Sequence, residues 1–256
     1  MIALIARKEL RALFGSPLAW FVLAAVQCIL GYGFLKRLDD FLQIQSQLTQ
    51  LNNPPGLTEL VAAPTFATAA ALMLFATPVL AMRFIAEERR QHSLTLLLSA
   101  PVSLTEVVLG KFLGLTGFLS IIALLVAVMP LTLSGIAVID FGLLAMLLVA
   151  LLLLTASFAA VGLYASSLTA QPVAAALAGF GLLIAMIFMG ETAAESLRSR
   201  GWMAASALAQ TLSPMKNFEP LARGIADSYA ISCSLLLTIV FLVLTIRRMD
   251  AMRLRG

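Results

Sequence analysis

The sequence predicts an all-α membrane protein with six transmembrane helices, and three observations carry that prediction. Of 256 residues, 61% are hydrophobic and 12% charged, against about 45–50% apolar and about 25% charged in soluble domains; the mean hydropathy is +1.00. The charges are not scattered but bracket long uncharged runs, as expected where a charge at the bilayer centre is costly. Those runs are rich in Leu, Ala, Val and Ile and lack the ten-residue alternation of a barrel strand, which leaves helices as the spanning elements.

The runs define the spans in order. Between Arg11 and Lys36 lie 24 uncharged residues, between Glu59 and Arg83 there are 23, between Lys111 and Asp140 there are 28, and between Asp227 and Arg247 there are 19. Each holds one helix of about 20 residues. The run from Asp140 to Glu191 contains 50 residues and is broken by Ser166-Ser167-Leu168-Thr169-Ala170-Gln171-Pro172, a turn-like cluster that divides it into two helices. The expected spans are residues 17–36, 64–86, 108–133, 141–165, 172–190 and 228–247, within a single transmembrane domain over 1–256.

Six spans put both termini on one side of the membrane. That side carries 11 Lys and Arg residues and the other 6, so the positive-inside rule assigns the termini to the cytoplasm. The sequence pI near 9.4 is then a topology signal and a contact with anionic lipid rather than a sign of nucleic-acid binding. The first uncharged run exceeds the 7–15 residues typical of a signal-peptide core, so the first span is expected to be retained. Cys28 and Cys233 both fall within spans and imply no disulfide framework.

The connections differ in character. Residues 1–16 place Ile2, Ile5, Leu10, Leu13 and Phe14 at helical spacing with Arg7, Lys8, Glu9 and Arg11 between them, the pattern of an amphipathic helix at the membrane surface, turned into the membrane by Gly15-Ser16-Pro17. Residues 36–63 are Gln- and Asn-rich and read as a solvated loop. The stretches 134–140 and 165–172 are short connections. Residues 83–111 begin with Glu87-Glu88-Arg89-Arg90 and become Ser93-Leu94-Thr95-Leu96-Leu97-Leu98-Ser99-Ala100-Pro101. Ser93 is a candidate N-cap, Leu94, Leu97 and Leu98 share one helical face, and Pro101 closes a short surface helix whose apolar residues need burial against lipid, the neighbouring spans or another protein, the last being the sharper choice beside charges of both signs. Residues 191–227 alternate Trp202, Met203, Leu208, Leu212 and Met215 with charges. They read as short amphipathic helices in the outer leaflet, broken at Pro214 and Pro220.

Self-contained chemistry is hard to build from this composition. His92 is the single histidine, so neither a His-Glu-x-x-His zinc site nor the Glu-Glu-x-x-x-Arg intramembrane-protease pattern is present. The 30 charged residues are expected outside mid-span, which argues against an ion-coupled carrier. Gln27, Thr68, Thr77, Thr116, Ser120, Thr155 and Ser157 are the mild polar groups within spans. Gly110-Lys111 is followed by Phe112 and lacks the upstream glycine of a phosphate-binding loop, so no ATPase site is expected in this chain.

Two stretches carry a resemblance: Arg7-Lys8-Glu9-Leu10-Arg11 before the first span, and Glu87 through Ser103 followed by Leu109-Gly110-Lys111-Phe112. Together they resemble the ABC-2 type permeases, membrane subunits of one class of ATP-binding cassette (ABC) exporters. The family pattern is an acidic pair, a basic residue, Gly-Thr-Leu-Glu-Leu-Leu-Leu-Ser-Thr-Pro-Val-Ser and then Leu-Gly-Lys; here His92 stands in place of Gly and Thr95 in place of Glu. Phe14 through Trp20, Leu212 through Phe218, and Arg223-Gly224 to Asp227 look like the branch of gliding-motility and nitrous-oxide-reductase-maturation permeases.

The resemblance implies an N-terminal elbow helix bearing Arg7, Lys8, Glu9 and Arg11. It also implies a cytoplasmic coupling helix in which Leu94, Leu97 and Leu98 seat in a separate nucleotide-binding ATPase, braced by Glu87, Glu88, Arg89 and Arg90. ATP and Mg would be bound by that ATPase and no cofactor by this chain. A second copy or a homologous permease completes the assembly, in a prokaryotic inner membrane. The alternative is a non-transporting scaffold through which the same ATPase acts on a periplasmic partner.

Overall fold

A computed structural model describes residues 1–48, 55–90, 103–135 and 138–253, and every regular element among them is helical. The first is α1, Ile2–Phe14. Gly15 and Ser16 turn the chain into α2, Pro17–Leu48, with proline at the N-terminal position where its missing N–H costs nothing. A π-helical turn, Thr58–Ala62, leads into α3, Ala63–Ala81. A break at residues 82–85 then precedes α4, Ala86–Arg90. Next come α5, Leu104–Leu131, and α6, Phe141–Leu168. After α7, Pro172–Phe188, a π turn carries the helix into α8, Ala194–Ser199. Two short helices, α9 (Met203–Thr211) and α10 (Pro214–Ala222), precede α11, Ser228–Arg253.

Six segments are long and apolar enough to cross a membrane: Pro17–Ile44, Thr58–Arg90, Leu104–Leu131, Phe141–Leu168, Pro172–Ser199 and Ser228–Arg253. The chain is a multi-pass membrane protein. Of their apolar windows, 61% is buried for the second and fourth but only 22%, 28% and 33% for the first, fifth and sixth. Thus α3 and α6 form the centre and α2, α7 and α11 the more exposed shell. Close packing explains the α3–α6 contact, since a Cβ on Gly162 would lie 2.8 Å from the Ala81 Cβ, and only a glycine permits that approach. The α6–α11 contact adds a polar pin in which the Ser157 hydroxyl lies 3.3 Å from both the Ser234 carbonyl and the Thr238 hydroxyl.

Helix starts have local causes. Ser103 and Glu106 form a reciprocal capping box at the start of α5, and the Asp140 carboxylate accepts from the Leu143 N–H at 3.0 Å to start α6. Most hydroxyls within the spans are satisfied by their own helix: Thr65, Thr68, Ser120, Ser157 and Thr245 donate to carbonyls four residues back, a common local solution in lipid.

Three expectations are corrected. Residues 36–63 are not mainly a loop, because α2 continues to Leu48. Leu38 and Phe41 pack with Phe34, Leu57 and Val61 in a small second core, and Gln43 donates to Asp39 one turn back at 3.1 Å. The charges that mark membrane exit therefore do not end the helix. The break expected at Pro214 is present, since α9 ends at Thr211 and α10 begins at Pro214, but Pro220 sits inside α10, which stays helical because Asn217, Phe218 and Leu221 are buried and Asn217 donates to the Thr211 carbonyl. Ser166 and Ser167 belong to α6 and not to the turn, which begins after Leu168.

Candidate functional site

At the end of the bundle that carries the termini, α1 lies along the first turns of α5. Gly110 and Gly114 make this possible: a Cβ on Gly110 would stand 2.6 Å from the Ile5 Cβ, and one on Gly114 would stand 2.7 Å from the Glu9 Cβ. The spacing of four residues puts both glycines on one face of α5, and α1 settles into the groove they leave. The amphipathic face read from residues 1–16 is therefore covered by protein, with Leu13 and Glu9 buried. The α1–α2 turn is fixed by Trp20, whose indole N–H donates to the Phe14 carbonyl at 2.7 Å, with the two rings edge to face at 5.7 Å.

This packing brings three charges together. The Lys111 ammonium, on α5 and only 1% exposed, donates to Glu9 Oε1 at 3.1 Å and to Glu88 Oε1 at 2.7 Å. The Phe84 ring lies 5.9 Å from the same nitrogen, a cation–π distance. A buried ammonium needs this compensation, because an unpaired charge in a low-dielectric site would be strongly destabilising. Glu9 comes from α1, Lys111 from α5 and Glu88 from α4, so one cation links three elements.

The break before α4 is held by a second set of contacts. Ser166 of α6 accepts from the backbone N–H of Ile85 at 3.2 Å and of Ala86 at 3.0 Å, so the central span supplies the missing cap of α4. Arg83 donates from Nε to Glu87 Oε2 at 2.9 Å and from Nη1 to the Ser16 hydroxyl in the α1–α2 turn. A cleft of about 240 Å³ opens between α1 and the 83–88 segment.

Of the residues singled out from the sequence, Glu9 and Glu88 meet at Lys111, and Glu87 pairs with Arg83. Arg89 is half-buried; Arg7, Lys8, Arg11 and Arg90 are exposed. Leu94, Leu97 and Leu98, with His92, lie outside the described residues. Lys111, Ser166 and Arg83 were not among the candidates. The sequence marks Lys111 as a charge at a membrane edge, whereas it is buried within α5; the neighbouring Gly-x-x-x-Gly pattern signals a close approach without naming the partner. Among the described residues no three His, Cys, Asp or Glu side chains converge as a metal site.

Six apolar spans, with an ion-pair network around the buried Lys111 at one end, define an integral membrane protein. The chain belongs to the ABC-2 family of transporter proteins, whose family profile matches residues 3–254. It is a membrane permease of an ABC transporter. No curated protein matches it significantly.

Proposed function

We propose that the chain couples ATP hydrolysis by a separate nucleotide-binding subunit to export of a substrate, working as one of two six-span permeases in a prokaryotic inner membrane with both termini cytoplasmic. ATP and Mg are held by the ATPase, and this chain contributes no catalytic residue. The orientation is supported by the 11 to 6 distribution of Lys and Arg. Residues 93–101 serve as the coupling helix, with Leu94, Leu97 and Leu98 seated in the ATPase. α1 serves as the elbow, with Arg7, Lys8 and Arg11 facing headgroups.

The observation that carries the reading is Lys111 held between Glu88 and Glu9. A push on the segment following Arg90 reaches α4, and α4 cannot move without dragging Glu88 on Lys111 or breaking a buried ion pair. Lys111 is part of a membrane span, and Glu9 is part of the helix packed on it. The displacement is therefore delivered to α1 and α5 together, while Arg83 delivers it to the α1–α2 turn through Ser16. Glu87 braces Arg83, and Arg89 and Arg90 flank the exit.

The test separates assembly from coupling. In proteoliposomes with the cognate ATPase, the triple variant Lys111→Met/Glu9→Gln/Glu88→Gln, which leaves no buried charge unmatched, is expected to retain a stoichiometric complex but lose at least about tenfold in ATP-driven flux, which is the size of a 1.4 kcal/mol coupling term. Flux at the wild-type rate would sink the assignment. Leu97→Asp is expected to lose ATPase binding while still inserting. ATP-dependent capture of a periplasmic protein without flux of any substrate would favour the scaffold alternative.

A further inference from the structure

Where α2, α3 and α7 converge at the terminal end, a cavity of about 430 Å³ is lined by Ser16, Pro17, Met82, Arg83, Arg90 and Pro172, together with Leu18 and Glu87. Leu18 also begins a second, almost wholly apolar trough of about 380 Å³ between α2 and α3, whose walls are Val22, Ala25 and Ile29 on one side and Leu72, Phe75 and Ala76 on the other. The two share Leu18, so they adjoin at the start of α2. At 1.5 Å per residue, Leu18 to Ile29 runs about 16 Å along α2, the depth of one leaflet of a hydrocarbon core about 30 Å thick.

Charge complements this shape. Arg83 uses Nε and Nη1 on Glu87 and Ser16, and its Nη2 has no protein partner among the described residues. Arg90 is exposed and likewise makes no ion pair among them. With Glu87 matched by Arg83, the cavity keeps one net positive charge. A cation above an apolar slot one leaflet deep suits a molecule with an anionic head and an acyl chain.

From this geometry we infer that the groove is a binding site for a phospholipid with an anionic headgroup, taken from the leaflet on the side of the termini. The phosphate sits between Arg83 and Arg90, and one acyl chain lies in the trough along Ala25 and Ala76. The site requires that the six helices cross a bilayer, and its cations Arg83 and Arg90 belong to the segment proposed above to carry coupling.

The full chain in nanodiscs is photolabelled with phosphatidylglycerol carrying a diazirine in one acyl chain, and labelled peptides are mapped by mass spectrometry. Label is expected on residues 18–29 and 72–79, competed by unlabelled phosphatidylglycerol at least about fivefold better than by phosphatidylcholine. Arg90→Gln, a surface change, is expected to abolish that preference, and Ala25→Trp to exclude label from the trough. Equal competition by phosphatidylcholine, or an unchanged preference in Arg90→Gln, would show ordinary boundary lipid and overturn the proposal. Competition by inorganic phosphate alone would show an anion site without a lipid. A photoreactive residue at position 25 that cross-links to a second copy would make the occupant another permease. If Ala25→Trp does not fold, the Arg90→Gln preference still decides.

Discussion

Lys111 Nζ lies 2.7 Å from Glu88 Oε1, joining a transmembrane helix to the five-residue helix that leads out of the preceding span. The carboxylate of Glu9, 102 residues from Lys111 in sequence, completes the arrangement at 3.1 Å. Removing one member of a buried ionic group leaves the others uncompensated, typically at about 3–5 kcal/mol. Lys111→Met is therefore expected to lower the melting temperature of the detergent-solubilised protein markedly. The triple variant Lys111→Met/Glu9→Gln/Glu88→Gln, which buries no unmatched charge, should recover much of the loss. A triple variant no more stable than the single one would show that these charges do not compensate one another.

The glycine groove predicts a contrast within one residue type. Gly114→Leu would drive its side chain into Glu9 and the α1 backbone, an overpacking of about 1–3 kcal/mol. α1 should lift from α5, increasing maleimide labelling of a cysteine placed at Ala6. Gly181 has nothing within 4 Å of its hypothetical Cβ, so Gly181→Leu is expected to leave that labelling unchanged.

Ser166 predicts a local effect at a distance in sequence. Ser166→Ala deprives the Ile85 and Ala86 N–H groups of their acceptor, at about 1–3 kcal/mol for buried groups. Hydrogen exchange should accelerate at residues 85–90. Ser167 donates only to the Tyr164 carbonyl in its own helix, and Ser167→Ala should give the wild-type pattern.

The Ser157 to Thr238 contact predicts a small effect. Interhelical hydrogen bonds in membranes average about 0.6 kcal/mol, and Ser157 also has the Leu153 carbonyl at 3.0 Å and the Ser234 carbonyl at 3.3 Å. Thr238→Val should shift the unfolding midpoint only slightly, and a double-mutant cycle with Ser157→Ala should give a coupling below about 1 kcal/mol. A larger coupling would make this pin a main determinant of α6–α11 packing.

The span count was legible because hydration of charge and burial of aliphatic side chains act residue by residue, and no partner is needed to read them. Span ends were less so. Lys36 and Arg37 were correct signs of proximity to water, but a helix can continue beyond the bilayer when Leu38 and Phe41 find a core. Lys111 failed as a local reading for a related reason. A lysine at a membrane edge and a lysine clamped between two carboxylates look alike in sequence when the carboxylates lie 23 and 102 residues away. Gly110 and Gly114 announced a close neighbour, yet nothing in their spacing identifies α1. Ser166 was read through its turn-forming tendency, whereas its hydroxyl is committed to another helix's amides. What remained hidden in each case was a tertiary partner.

The Trp20 bond to the Phe14 carbonyl has a spectroscopic consequence. The protein has two tryptophans, and Trp202 stands exposed in the connection between the fifth and sixth spans. With Trp202 replaced by phenylalanine, all indole emission would originate at the junction of α1 with the first span. Opening of that junction during turnover would then appear as a change in emission wavelength and anisotropy, recorded without an attached dye.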